Sequence, residues 1–183
     1  MLEWAEVQIE DSLRLRLIAS TTGIRAIDFH CSRPVSEGSS DANPLILEAV
    51  RQLRAYFERR LRRFDLPLDL QGTDFQKRIW HQLETIPYGE TRSYAQIAAA
   101  IGSSRAVRAA GAANGANPVP IVVPCHRVIG SNGKLTGFGG GLETKEKLLT
   151  LERGLQTDSQ GEIPWQRPKK NVSTRLSRNI SLF

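Results

Sequence analysis

Gly72-Thr73-Asp74-Phe75-Gln76 is where the chain changes character. Thr73 can cap a helix in which Gln76 closes the reciprocal capping pattern, and Phe75, Ile79 and Leu83 recur as an inward stripe. Ile86-Pro87-Tyr88-Gly89 then stops that helix. Upstream the periodicity differs. Trp4-Ala5-Glu6-Val7-Gln8-Ile9, Leu13-Arg14-Leu15-Arg16-Leu17 and Ile24-Arg25-Ala26-Ile27-Asp28-Phe29 alternate, or nearly alternate, in polarity. They predict three short strands of a small antiparallel sheet, separated by Asp11-Ser12 and Thr21-Thr22-Gly23. Residues 32–43 are polar and read as a loop. Pro44 can then open a helix whose Ile46, Val50, Leu53 and Phe57 recur at helical spacing, ending near Arg60.

Downstream, Ser93-Tyr94-Ala95-Gln96 repeats the capping pattern and starts a short helix that ends around Ile101-Gly102. Ser103 or Ser104 starts another, running to about Ala113. Two short helices about a glycine-containing turn fit a helix-turn-helix, although many helical proteins carry such a pair. The second helix is rich in small residues (Ala106, Ala109, Ala110, Gly111, Ala112 and Ala113), which lets its backbone lie against another helix or a phosphate backbone. Pro118-Val119-Pro120-Ile121-Val122-Val123-Pro124 reads as an extended apolar approach. Ser131-Asn132-Gly133-Lys134 signals a turn suited to a hairpin, and Gly137-Phe138-Gly139-Gly140-Gly141 a close-fitting loop. A last helix starts at Glu143 or Thr144 and reaches Arg153, anchored by Leu148, Leu149 and Leu151.

The predicted fold class is therefore α/β, of the α+β kind. Residues 1–69 form a small N-terminal domain of antiparallel sheet and helix. Residues 70–153 form a mostly helical domain with the helix-turn-helix, and residues 154–183 are a polar, basic extension expected to be loosely ordered.

A chain of 183 residues with 40% apolar content can bury a usable core, with three Trp, three Tyr and six Phe as large anchors. No segment approaches 18 uninterrupted apolar residues, and Met1-Leu2-Glu3-Trp4 lacks the basic and hydrophobic succession of a secretion signal. A soluble, cytoplasmic, monomeric protein is expected. The formal charge of +6 is unevenly placed. Residues 77–134 hold seven basic and two acidic groups, giving +5, and residues 154–183 hold five and two, giving +3. Concentrated positive charge permits a nucleic-acid partner without proving one.

The chemistry centres on Pro124-Cys125-His126-Arg127-Val128, which sets one of two cysteines beside one of three histidines. Two cysteines so far apart, Cys31 and Cys125, argue for free thiols rather than a disulfide framework. Four readings of the pair stand side by side. A buried structural pair is the plainest, but polar groups there would need partners. Zinc held by His30, Cys31, Cys125 and His126 lacks the close Cys-Cys spacing of a closed site. A thiol protease or amidase would leave the basic helical region unexplained. Nucleophilic transfer to an alkyl carbon needs a thiolate, an in-line approach and a proton for the departing group. His126 can take the thiol proton directly or through water, and Glu152, at the end of the Leu-rich helix, is the carboxylate best placed to orient the imidazole.

The order and spacing of several peptides decide among these. Gly72-Thr73-Asp74-Phe75-Gln76, Ile79-Trp80, Ile86-Pro87-Tyr88-Gly89-Glu90-Thr91, Ser93-Tyr94, Arg108-Ala109, Asn117-Pro118, Pro124-Cys125-His126-Arg127-Val128-Ile129 and Gly137-Phe138-Gly139-Gly140 follow one another in this chain. Together they resemble the methylated-DNA-protein-cysteine methyltransferases, or O6-alkylguanine-DNA alkyltransferases, over about residues 70–153. Residues 1–69 resemble that family only in general layout.

The resemblance implies direct-reversal repair of double-stranded DNA, with one irreversible transfer per chain from O6-alkylguanine to Cys125, and extends to O4-methylthymine as a further substrate. It implies His126 as a water-assisted base, Glu152 as the acid orienting it, and Asn117 as the brace of the active-site turn. It gives Tyr94 the tasks of rotating the target nucleotide and donating toward guanine N3, and Arg108 that of filling the space the extruded base leaves. The second helix, with Ala109 to Ala113, would lie in the minor groove. Arg105, Arg127 and Lys134 would add to the field that attracts phosphate. The backbone at Cys125 and Val128 would accept from the guanine amine. Phe138 stands where the family often has Tyr, and Gly139 follows it, which implies a roomier pocket that admits groups larger than methyl. No cofactor and no metal are expected. A binding-only sensor of alkylated DNA is the alternative, although such relatives usually replace the cysteine kept here.

Overall fold

The computed structural model describes residues 1–29 and 43–153. His30, Cys31, most of the 32–43 loop and the 154–183 extension lie outside the described residues.

Three strands, β1 (Glu3–Glu10), β2 (Leu13–Ala19) and β3 (Ile24–Asp28), form an antiparallel meander in the order β1-β2-β3. The register sets Ala5 opposite Leu17 and Val7 opposite Leu15. Alternation then turns Leu15, Leu17 and Ala19 inward, and all three are buried. Arg16 points to the other face, where its guanidinium lies over Trp4 and pairs with Glu6. The inward face is covered by α1 (Pro44–Phe57), which begins at Asn43, whose Oδ1 accepts from the Leu45 and Ile46 amides. Ile46, Ala49, Leu53 and Tyr56 are the buried stripe of that helix.

Helix α2 (Asp74–Glu84) carries the full capping box: Thr73 accepts from the Gln76 amide, and the Gln76 side chain accepts from the Thr73 amide. Ile79, Trp80 and Leu83 face inward. The Trp80 indole donates to Ala113 O at 2.9 Å and so ties α2 to α4. A two-residue strand β4 (Arg92–Ser93) leads into α3 (Tyr94–Ala100), again with a capping box, Ser93 with Gln96. Helix α4 (Val107–Gly115) begins later than the sequence predicts. Ser103 does not cap it; the Ala106 amide closes a turn on Ser103 O, and the helix follows with no side-chain cap. Its small residues divide between two faces. Ala110 and Ala113 are buried, whereas Arg108, Ala109 and Ala112 are exposed.

The segment before Cys125 is not extended as expected. Val123 N–H donates back to Val119 O, and Ile121 takes a φ of 75°, a conformation that costs a β-branched residue. Residues Cys125–Arg127 then form one 3-10 turn. The expected hairpin at Asn132-Gly133 is only a turn, closed by Gly130 N–H to Lys134 O. The strand leading into that turn, β5 (Val128–Ile129), pairs in parallel with β4 instead, Arg92 with Val128 and Ser93 with Ile129. Helix α5 (Gly141–Arg153) closes the fold, burying Leu148, Leu149 and Glu152. One continuous apolar cluster runs from Leu15 and Leu53 through Trp80 and Ile97 to Cys125 and Leu148. The two sequence halves therefore share a core.

No described helix is long and apolar enough to cross a membrane.

Candidate active site

The turn that carries Cys125 is shaped by its own neighbours. Pro124 sits at φ −80° and ψ 62°, the geometry of an inverse γ-turn, and the Cys125 amide donates to Val123 O at 2.8 Å. Asn117 braces this bend from both sides. Its Nδ2 donates to Val123 O at 2.8 Å, and its Oδ1 accepts from the Val119 amide at 3.1 Å. Asn114, unmarked by the sequence reading, adds a longer bond of 3.5 Å from Nδ2 to Cys125 O.

Cys125 is 4% exposed and His126 is fully buried. Burial pushes the thiol up to about 11, against the opposing pull of the Asn117 side chain and the Lys145 ammonium. At neutral pH the sulfur therefore rests as a thiol and needs a base at the moment of attack. Burial also lowers the proton affinity of His126, more than Glu152 raises it, and the Arg127 and Lys145 charges push the same way as burial. His126 is thus a neutral imidazole at neutral pH.

Glu152 reaches that imidazole from the last turn of α5, with 2.9 Å between its Oε1 and His126 Nε2. Burial alone would raise the Glu152 pKa, but His126 and Arg127 hold it down to about 2. An ionised carboxylate only accepts, so the ring hydrogen belongs on Nε2. That leaves Nδ1 with its lone pair, and Nδ1 is buried without a hydrogen-bond partner among the described residues.

Four residues converge on Glu152. Oε1 accepts from His126, from Arg127 Nη2 at 2.8 Å and from the Tyr56 hydroxyl at 2.7 Å. Oε2 accepts from the Gly89 amide at 2.9 Å and from Arg127 Nε at 3.0 Å. Arg127 corrects a sequence expectation. It is not a surface cation free to meet phosphate: it is 6% exposed, fixed to Glu152 and to Ile86 O at 2.7 Å. A charge in the interior requires such a partner. Lys145 was likewise missed. It is fully buried in mid-helix and donates to Val128 O at 2.6 Å and Thr136 O at 2.8 Å, clamping β5 to the following loop; burial lowers its pKa to about 8.

The remaining predicted residues lie around this centre. Tyr94 begins α3 directly after β4, and the β4–β5 pairing fixes it relative to the residues that follow the thiol turn. Its hydroxyl accepts from Thr136 at 3.1 Å. Arg108 and Ala109 lie on the exposed face of α4, and Arg105 and Lys134 are exposed as well. Phe138 stacks edge-on against Phe29 at 5.2 Å and stands 6.4 Å from the His126 ring. Gly139 is exposed and no atom lies within 4 Å of where a Cβ would sit. Val128 is buried and its carbonyl already accepts from Lys145, leaving one lone pair of that oxygen. A cavity of about 630 Å³ bordered by Arg62, Arg63, Tyr88, Pro124 and Arg127 backs onto the turn. Neither Cys125, His126, Tyr94 nor Phe138 lines it, so it is not the approach to the thiol. No described group of three or more His, Cys, Asp or Glu could hold a metal.

Comparison with known proteins places this geometry. Residues 74–154 match the model of the 6-O-methylguanine DNA methyltransferase DNA binding domain, and residues 14–70 match that of the 6-O-methylguanine DNA methyltransferase ribonuclease-like domain. The methylated-DNA-protein-cysteine methyltransferase of Mycolicibacterium paratuberculosis is 54% identical over 132 residues, 72% of this chain and 79% of the relative. The constitutive enzyme of that name in Bacillus subtilis is 56% identical over 111 residues, 60% of this chain and 67% of the relative. The crystal structure of Mycobacterium tuberculosis O6-methylguanine methyltransferase superposes with a TM-score of 0.76 at 44% identity, covering 84% of this chain and 93% of that one. A structure of the M. tuberculosis protein in complex with DNA gives 0.73 at 46% identity, with 83% and 92% covered. The chain belongs to the 6-O-methylguanine DNA methyltransferase family.

Proposed function

We propose that this protein repairs double-stranded DNA by moving the alkyl group of O6-alkylguanine onto Cys125, once per chain. The observation that carries this reading is the neutral His126, its Nε2–H held by Glu152 and its buried Nδ1 left without a partner among the described residues, on the residue that follows a buried thiol. As the sulfur attacks, Nδ1 takes the thiol proton, the S–C bond forms and the C–O6 bond breaks. The electron pair of that bond passes to the purine, and the proton taken up by the imidazole is delivered to the purine to complete guanine, leaving His126 neutral again. The thioether has no hydrolytic escape, unlike an acyl-enzyme.

Each neighbouring residue has a part in this. Asn117 holds the turn that presents the sulfur. Tyr94 turns the target nucleotide and donates toward guanine N3 as charge develops. The base must leave the stack to reach a thiol this deep, and Arg108 at the exposed start of α4 fills the space it vacates. Ala109 and Ala112 keep that face of α4 low enough to enter a minor groove, with α3 and α4 acting as a helix-turn-helix. Phe138 walls the guanine pocket beside Val128 and Gly139, whose open surroundings favour acceptance of groups larger than methyl. O4-methylthymine is a second, lesser substrate. Residues 70–153 carry these tasks, residues 1–69 support them, and the protein works as a monomer.

Intact-protein mass after incubation with a methylguanine duplex tests the proposal. The expected result is a gain of one methyl group per chain, absent from Cys125→Ala. Folded protein that binds the duplex without gaining mass would replace this reading with that of a sensor.

A further inference from the structure

We infer that Tyr56 is a positioning residue for the transfer: its hydroxyl, donated from α1 to Glu152 Oε1, limits how strongly Glu152 draws on His126 and so sets the basicity of Nδ1. The inference rests on the alkyl-transfer reading above. It gives the N-terminal sequence half a part in the chemistry itself.

Tyr56 is fully buried, and its ring is gripped by Phe57 at 5.4 Å, Phe64 at 5.3 Å and Tyr88 at 6.0 Å. Its hydroxyl lies 2.7 Å from Glu152 Oε1 but 3.5 Å from His126 Nε2. Since the Nε2 hydrogen is directed at Glu152, the phenol is a competitor of the imidazole for the same oxygen, not its partner. Four donors from three residues share Oε1, and each disperses charge the others would otherwise feel. Burial, reinforced by the Glu152 charge, keeps the phenol protonated far above neutral pH, so it remains a donor throughout. The other charged and titratable groups facing the pair are Lys145 and Arg153 from α5, Arg127 from the turn, and Tyr88 from the loop after α2.

The sign follows from electrostatics. Without the hydroxyl, charge concentrates on Oε1 and the hold on Nε2–H tightens. Nδ1 then gains proton affinity, and the imidazolium form, which cannot accept the thiol proton, persists to higher pH.

The test is the pH dependence of single-turnover methyl transfer, followed by intact mass, alongside ¹⁵N-detected titration of the His126 ring in the full chain. Tyr56→Phe should move both acid midpoints up by about half a pH unit or more, roughly threefold in proton affinity. Phe64→Leu, which loosens the ring packing and keeps the hydroxyl, should lower the melting temperature and leave the midpoints in place. 3-Fluorotyrosine at position 56 keeps the ring and strengthens the donor, so it should move them down; it also serves if Tyr56→Phe does not fold. Midpoints unmoved in the folded Tyr56→Phe protein, or in the fluorotyrosine protein where Tyr56→Phe fails to fold, overturn the inference. A wild-type protein that transfers nothing at any pH overturns the repair reading alone, because the ring titration still reports on Tyr56.

Discussion

Arg127 and Glu152 are charged groups held almost entirely away from water, and at that depth each depends on the other. Arg127→Met should cost about 3–5 kcal/mol of stability, because it strands a carboxylate in the interior. Glu152→Gln strands the guanidinium and should cost a similar amount. The double replacement Arg127→Met with Glu152→Leu should recover only part of the loss, since removing both charges still leaves the Tyr56, His126 and Gly89 donors without their acceptor. Urea unfolding of the three variants checks this, and a loss below about 1 kcal/mol in both single variants would refute it. Arg105→Ala, at an exposed position, should instead reduce the salt dependence of DNA affinity by about one counterion and leave stability alone. The Cys125, His126 and Glu152 grouping was legible in the sequence because the peptides around it are distinctive. Arg127 was misread because charge along a chain reveals nothing of a carboxylate 25 residues away that turns inward to meet it. Tyr56 and Lys145 look from sequence like a core aromatic and a helix-surface cation. Only the folded chain brings their polar ends to the site.

At the scale of elements, the short loop after α2 matters more than its length suggests. Gly89 adopts a φ of 79°, which aims its amide at Glu152 Oε2, and an added Cβ would lie 3.3 Å from Glu152 O. Gly89→Ala should therefore cost about 1–2 kcal/mol for the left-handed backbone, and should slow methyl transfer as well by disturbing the carboxylate. Equal transfer rates at matched folded fraction would disprove the second part. Capping chemistry made α2 and α3 readable to within a residue, since Thr73 with Gln76 and Ser93 with Gln96 are local devices. Helix α4 lacks such a device and starts later than Ser103 suggested. The prolines from Pro118 to Pro124 predict an extended run, but the bend is imposed by the Asn117 side chain and by the backbone turn at Ile121. Neither is a property of local composition.

For the whole molecule, the buried site makes stability depend on pH in a definite direction. The folded His126 binds its proton more weakly than an ordinary imidazole, so the unfolded chain takes up protons first as pH falls through about 6.5. Glu152 adds a second loss. Its stabilisation is complete above the ordinary value of 4.5 and disappears as pH falls toward about 2. Melting temperature should therefore begin to drop below pH 6.5 and drop faster below 4.5. Glu152→Gln should shrink the lower step, leaving what the lowered Glu48 and Asp69 carboxylates contribute. A flat profile between pH 7 and 3 would contradict both assignments. The strand meander, the helices and their apolar stripes were legible because periodicity reports which face is covered. The single core joining the two halves was not, because periodicity does not say what covers it.

The convergence on Glu152 also bears on when the site comes into being. Its bonds join residues 96, 63, 26 and 25 positions apart in the chain, to Tyr56, Gly89, His126 and Arg127. Closing loops of that size costs entropy that local helices do not have to overcome, so these contacts belong to the last stage of folding. Substitutions at Glu152 should consequently speed unfolding and hardly change the refolding rate. A newly made or half-folded chain then carries a cysteine whose neighbouring imidazole is not yet oriented, and becomes competent for chemistry only when the polypeptide has finished assembling around that one carboxylate.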